Sequence, residues 1–191
     1  MDNLANSNTP VYESALEKYS TGTVFDNLQI REKKKLAYII IRGKQEDDGF
    51  IDAMHSLGLS VPRPTNITNN NDKQCIWISP DEFLLVSDYI SKDEFINKAN
   101  TAFENIFAYA IDNSGSYTNI SISGTRYLDV MAKLSPYNYK KLEIDCVLST
   151  NLAKAPSIIF RTGEDSLTIL VRFSFADYLW QMIGNASTEY K

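Results

Sequence analysis

Histidine is nearly absent from this chain: His55 is the single one in 191 residues. Imidazole is the commonest acid–base group and metal ligand near neutral pH, so a Ser-His-Asp or Cys-His arrangement would have to run through it. Its helical setting beside Met54 accounts for it as a helix-face residue. Cysteine is scarce too, with only Cys75 and Cys146. Each lies beside apolar residues and reads as a buried free thiol rather than half of a disulfide. Neither has a recognised nucleophile context, and the His and Cys together are too few for a zinc site. The eight glycines are scattered, with no Gly-x-Gly-x-x-Gly after a strand and no phosphate loop. No catalytic, cofactor-binding or metal-ligating residue is therefore expected.

Positive charge is also short. Nineteen Lys and Arg face 24 Asp and Glu, for a net charge of −5. A general nucleic-acid binder needs concentrated positive charge to neutralise phosphates. The one basic run, Arg31 to Lys35 with Glu32 inside it, reads as a solvated lead-in to a strand. No apolar run approaches the ~20 residues needed to span a bilayer. The start, Met1 to Pro10, lacks the pattern of a signal peptide, so the expectation is a cytoplasmic chain with no membrane or nucleic-acid partner. The sequon matches at Asn66, Asn119 and Asn185 are then chance.

What is present is a soluble globular composition, 43% hydrophobic and 23% charged. The length fits one domain, or two halves sharing a core, and should bury roughly 70% of the unfolded surface. The chain is also written twice. Ile76-Trp77-Ile78-Ser79-Pro80-Asp81-Glu82 lines up with Ile159-Phe160-Arg161-Thr162-Gly163-Glu164-Asp165. Ser91, Glu94 and Phe95 match Ser174, Asp177 and Tyr178, and residues 52–57 match 129–134. The expected division is an extended arm over 1–30, with one helical turn near Tyr12 to Tyr19, and a single α+β domain over 31–191. That domain holds two pseudo-repeats, about 35–112 and 117–184.

The first repeat reads as a strand Leu36 to Ile41, a helix Asp47 to Leu57, and an exposed Asn-rich loop over 63–74. Two hairpin strands follow, Cys75 to Ile78 and Phe83 to Val86, joined by a turn with Pro80 at its second position. Next come a helix from Ser91 and a strand Ala108 to Asp112. This is the β-α-β-β-α-β, ferredoxin-like order. The second repeat has a strand Tyr117 to Ile122 and a helix ending near Leu134. Strands follow near Cys146 to Leu152, Ser157 to Arg161 and Leu167 to Arg172. Its last helix carries a stripe of Phe175, Leu179, Met182 and Ile183. Ser91 with Glu94 and Ser174 with Asp177 suggest capping boxes, with Ile90–Phe95 and Phe173–Tyr178 staples. Replacing either serine by Ala would then cost ~1 kcal/mol. The acidic pairs Asp81-Glu82 and Glu164-Asp165 fall at hairpin turns, where Asp suits the geometry. The aromatics, Trp77 and Trp180 among them, suit either a core or a partner-docking surface.

An ordered set of motifs resembles the gamma subunit family of heterotetrameric sarcosine oxidase. It includes Ile41-Arg42-Gly43, Trp77-Ile78-Ser79-Pro80-Asp81-Glu82-Phe83, Leu152-Ala153-Lys154-Ala155-Pro156 and Ser174-Phe175-Ala176-Asp177-Tyr178-Leu179-Trp180. Trp77, Pro80, Lys154, Pro156 and Trp180 carry the likeness and are candidate partner contacts. Ser79, Phe83 and Phe173 depart from the family's commoner Gly, Trp and Arg. The resemblance implies a fold like the folate-binding aminomethyltransferase domain. It also implies a non-catalytic subunit packed against alpha, beta and delta partners. The implied complex demethylates sarcosine oxidatively to glycine. The one-carbon unit goes to tetrahydrofolate or leaves as formaldehyde, and H2O2 is formed. FAD, FMN, NAD, tetrahydrofolate and zinc would sit on the other subunits. Two alternatives are a free-standing folate-binding or aminomethyltransferase-like protein and an unrelated adaptor. The folate-dependent relatives carry a Lys-Gly-Cys-type motif that Ile144-Asp145-Cys146-Val147 lacks.

Overall fold

The computed structural model describes residues 13–19, 22–25 and 27–190. A 3-10 turn, Glu17–Tyr19, leads into a hairpin of β1 (Thr23–Phe25) and β2 (Leu28–Lys33). The first unit is β3 (Leu36–Arg42), α1 (Asp48–Ser56), β4 (Ile67–Asn70), β5 (Lys73–Ser79), β6 (Glu82–Asp88), α2 (Lys92–Ala102) and β7 (Tyr109–Asp112). The second is β8 (Tyr117–Ser123), α3 (Tyr127–Leu134), β9 (Val147–Leu152), β10 (Ala155–Gly163), β11 (Ser166–Arg172) and α4 (Phe173–Ala186). The strands form two sheets, ordered β4-β5-β6-β3-β7 and β1-β2-β8-β11-β10-β9. The expected α+β class with duplicated units is what forms.

Successive strand side chains point to opposite faces, and both faces of each sheet are used. Ile39, Ile41, Phe83 and Leu85 pack with Phe50 and Met54 of α1 and Phe95 and Ala99 of α2. Ile120, Ile122, Ile169 and Val171 pack with Val130 and Met131 of α3 and Leu179 and Ile183 of α4. The intervening residues meet between the sheets: Tyr38, Ile76, Leu84 and Val86 against Val147, Ile158, Phe160 and Leu170. The sheets therefore stack face to face with the helices outside, which is why Tyr38-Ile39-Ile40-Ile41 is apolar without a break.

Each unit needs a last strand beside its first. In the first unit β7 supplies it, with Ile111 opposite Ile40. In the second, the place beside β8 is taken by β2, with Ile30 opposite Ile122. The boundary expected at residue 30 thus falls inside a strand. Leu28 and Ile30 are buried while Gln29 and Arg31 are exposed, a period-2 signal too short to stand out beside polar neighbours. The part of the expected arm at 1–12, 20, 21 and 26 lies outside the described residues.

The structure also shifts the internal match. Ser79 pairs with Glu82 and Gly163 with Ser166, each across an irregularity that follows Trp77 or Arg161. Trp77 is thus the counterpart of Arg161, one residue along from the sequence match of Ile76 with Ile159. A one-residue slip exchanges faces, and Ile76 indeed lies between the sheets while Ile159 faces the helices.

The helix starts differ as well. Asp47 caps α1 as its position suggests, accepting from Phe50 N at 3.1 Å. Ser91 is already helical and makes no side-chain cap. Asp88 does that work one turn earlier, accepting from Ile90 N at 3.0 Å, and Ile90 is 89% exposed rather than stapled. The second helix begins directly at Phe173 after β11, so Ser174 lies inside its first turn and caps nothing. The expected loss at both serines therefore falls to about 0.5 kcal/mol or less. The buried stripe of α4 is Ala176, Leu179, Trp180 and Ile183, with Phe175 exposed. The Asn-rich segment 63–74 is not all loop. Its β4 pairs with β5 around a turn at Asn71, which adopts φ 51°.

Candidate functional site

Trp77 and Pro80 both hold Gln45 of the β3–α1 loop. The Trp77 indole is half-buried, and its Nε1 donates to Gln45 Oε1 at 2.9 Å. Pro80 and Asp81 form the β5–β6 turn, which is clamped to the β3–α1 loop. Gly43 N donates to Asp81 O at 3.1 Å and Gln45 N to Pro80 O at 3.3 Å. Arg42 pairs with Asp81 at 3.1 Å and also with Glu82. The resulting cleft, about 560 Å³, is lined by Lys44, Gln45, Glu46, Asp47, Pro64, Pro80 and Asp81. The Ser79 hydroxyl, and after it the Arg42 charge, hold the Asp81 carboxyl below its ordinary value. A general acid needs the opposite shift, so Asp81 is a turn clamp, and Glu82 is tied to the same Arg42.

Lys154 and Pro156 mark a second place. Ala153 and Lys154 form the two-residue turn between β9 and β10, with φ of 46° and 73°. Both lie in the left-handed region that Asn-Gly usually fills in such turns. The turn is held from two sides: Ala153 N donates to Leu134 O at 2.8 Å, and Tyr178 Oη donates to Ala153 O at 2.6 Å. Pro156 lines a groove of about 470 Å³ with Tyr117, Ser149, Asn151, Ile158, Leu170 and Arg172 among its walls. The Arg172 guanidinium lies over the Tyr117 ring at 4.5 Å.

Trp180 is elsewhere again. It is buried and stacks on Tyr19 at 5.6 Å, while Lys18 pairs with Asp177 at 2.8 Å. It anchors the N-terminal segment to α4. The five motif residues thus form two surface pairs and one core residue, not one site. Arg172 and Tyr117 were not singled out in the sequence. Only strand register puts them opposite one another, and single-sequence pattern carries no such information.

The remaining reactive groups are spread out. Cys75 is buried, and burial pushes its thiol up to about 12. Cys146 is half-buried, its thiol raised by burial and by Glu143 and Asp145. Both are free. His55 is exposed on α1. Among the described residues, no group of three or more His, Cys, Asp and Glu is placed to hold a metal ion. Within them, too, no helix is long and apolar enough to cross a membrane. Three exposed apolar residues stand at β7, where Phe107 is 93% exposed with Tyr109 and Ile111 close to it in sequence. The edge itself is closed by Asn100, whose Nδ2 donates to Ala110 O at 3.0 Å while its Oδ1 accepts from Ala110 N at 2.8 Å.

Residues 42–189 match the family model described as "Sarcosine oxidase, gamma subunit family". The chain belongs to the sarcosine oxidase gamma subunit family. It is 23% identical over 182 residues to sarcosine oxidase subunit gamma of Corynebacterium sp. (strain P-1), covering 93% of this chain and 89% of that protein. A second gamma subunit, from Corynebacterium sp. (strain U-96), is 26% identical over 117 residues, covering 60% and 56%. Among solved structures, a chain of the heterotetrameric sarcosine oxidase from Corynebacterium sp. U-96, in complex with pyrrole 2-carboxylate, superposes with a TM-score of 0.84. It is 20% identical, and 94% of this chain and 96% of that chain are covered. Aminomethyltransferase T of the Bartonella henselae glycine cleavage system gives 0.60 at 11% identity, over 88% of this chain and 48% of that one. At these identities the superpositions establish the shared fold. The family match takes in all five motif residues and leaves the β1–β2 hairpin outside it.

Proposed function

We propose that this chain is the gamma subunit of a heterotetrameric sarcosine oxidase, an oxidoreductase complex in which it carries no catalytic residue. The observation that carries this is the family match over residues 42–189. The side-chain chemistry supports it: the acidic pair is locked to an arginine, one thiol is raised to about 12 by burial, and the motif residues divide between turns and core. Such groups build a rigid body with shaped surfaces. Its partners are the alpha, beta and delta subunits, and permanent hetero-complex interfaces bury ~2,000 Å² or more. The complex demethylates sarcosine to glycine with formation of H2O2. The one-carbon unit passes to tetrahydrofolate or leaves as formaldehyde. FAD, FMN, NAD and zinc belong to the other chains. This subunit stabilises the folate-domain region of alpha, and the assembly is cytoplasmic.

The test is co-expression with the neighbouring genes and purification through a tag on this chain. The expected product is a heteromeric complex with flavin absorbance and sarcosine-dependent oxygen uptake. A colourless monomer that binds reduced folate would replace this proposal with a free-standing folate protein.

A further inference from the structure

Strand register draws a continuous row across one end of the second sheet. Asn151 pairs with Pro156, Pro156 stands next after the Ser157–Val171 pair and so beside Arg172, and Arg172 pairs with Tyr117. Directly opposed residues share a face of the sheet, so these four form a ledge. The next row inward on the same face, through Ile158 and Leu170, is buried against the first sheet. The outer row instead borders the open groove. Two residues before Pro156, the β9–β10 turn presents Lys154 to solvent.

Two features set the ledge apart. Its charges are positive in a chain of net −5, and among the described residues neither Arg172 nor Lys154 meets a carboxylate. Arg172 stacks on Tyr117, an arrangement that fixes the guanidinium while leaving its N–H edge to donate. Glu82, whose field reaches Tyr117, is occupied by Arg42. The counterpart position in the first sheet carries the opposite sign, where Asp88 pairs with Leu36 as Arg172 does with Tyr117. The turn is the second feature. Ala153 and Lys154 both lie in the left-handed region, with Ala153 fixed by its N–H donating to Leu134 O and its C=O accepting from Tyr178 Oη, and such over-determined strain collects at binding and switch sites.

We infer that this ledge, Asn151–Pro156–Arg172–Tyr117 with the Lys154 turn, docks an acidic segment of a partner subunit through a carboxylate on Arg172. The inference rests on the proposed subunit role and adds where contact occurs and with what chemistry. Tyr and Arg are the residues enriched where interfaces hold most of their energy. A carboxylate on a pre-set guanidinium would make two parallel hydrogen bonds.

The test uses the co-expressed complex. Arg172→Glu and Lys154→Glu are compared with wild type for partner recovery and for dissociation as salt is raised. Both side chains are exposed, so thermal melting of free Lys154→Glu should match wild type, and that of Arg172→Glu should fall only slightly through loss of the stack on Tyr117. Arg172→Glu is expected to weaken assembly by at least about tenfold, Lys154→Glu by less, and wild-type assembly is expected to loosen with salt. Retention of the complex by Arg172→Glu, with wild-type salt dependence, overturns the inference while leaving the subunit role standing. Failure of wild type itself to assemble overturns the subunit role instead. Inorganic phosphate raising the melting temperature only when Arg172 is present, with assembly unchanged, would make the ledge a small-anion site and remove the docking proposal.

Discussion

The two halves of this protein finish their sheets by different means. In the first half the unit is self-sufficient: β7 follows α2, lies beside β3, and has the outward N–H and C=O of Ala110 met by the Asn100 side chain. In the second half no strand follows α4 among the described residues, and β2 arrives from ahead of both units to lie beside β8, with β1 covering it in turn. A bare sheet edge is a template for unwanted pairing. One half closes it with a single amide and the other with a hairpin. The halves even share a glycine at the same station, Gly43 after β3 and Gly124 after β8. At Gly43 a Cβ would strike the Phe50 ring at 2.4 Å. At Gly124, where φ is 109°, it would strike Asn27 O at 2.3 Å. The first glycine seats a helix of its own unit, and the second seats the borrowed hairpin.

Gly124→Ala should therefore be the most damaging single change. Backbone strain and a clash with the main chain of Asn27 act together, for a loss of about 4 kcal/mol in denaturant unfolding. A loss below about 1 kcal/mol would mean that the hairpin yields easily and that the second sheet does not depend on it. Next in size is a paired comparison. Ile30→Ala on β2 empties a buried site and should cost about 3 kcal/mol. Ile111→Ala on β7 removes a side chain that is half exposed and should cost about 0.5 kcal/mol or less. Equal losses would contradict the unequal use of the two closing strands.

Much of this was legible before the structure. Strands of the Leu36–Arg42 kind announce themselves by β-branched content, and Trp77 to Phe83 reads as a hairpin because Pro80 fixes the turn. The role of β2 was not legible. Its six residues alternate correctly, but their partner β8 lies some ninety residues on, as Arg31 with Ser121 shows, and nothing local records that. Ser91 and Ser174 failed as caps for another physical reason. A capping box is a local pattern, while Asp88 and the direct β11–α4 junction are set by where the preceding strand ends. At the candidate site, sequence found the members of each turn, Pro80 and Lys154 to Pro156. It missed the Arg172–Tyr117 stack, because a cross-strand neighbour is fixed by register rather than by spacing.

A smaller effect tests the amide that closes the first sheet. Asn100→Ala removes two hydrogen bonds from Ala110, whose N–H and C=O would turn to water at a net cost of about 1 kcal/mol. The sharper readout is association. Opening β7 next to Phe107, Tyr109 and Ile111 should make the purified protein self-associate at concentrations where wild type does not, as measured by light scattering. An Asn100→Asp chain keeps an acceptor for Ala110 N but loses the donor to Ala110 O, so it should fall between the two.

The smallest effect concerns how the borrowed segment is tied at its far end. Asp177 accepts from Tyr19 Oη at 2.9 Å and pairs with Lys18 at 2.8 Å. The hydrogen bond from Lys18, then that from Tyr19, lower its carboxyl below the ordinary Asp value. A carboxyl depressed in the folded state adds stability above its unfolded pKa, about 3.9, and that contribution is lost as pH falls through the lower folded value. Docking of residues 13–19 on α4 should thus weaken only in acid below about pH 4. The site is solvated and salt screens it, so the change belongs to local protection of this segment rather than to the global melt. Hydrogen exchange of residues 13–19 across that pH range would show it. If Asp177→Asn leaves the segment as protected as wild type at neutral pH, the stack of Tyr19 on Trp180 holds it, and the carboxylate only sets its direction.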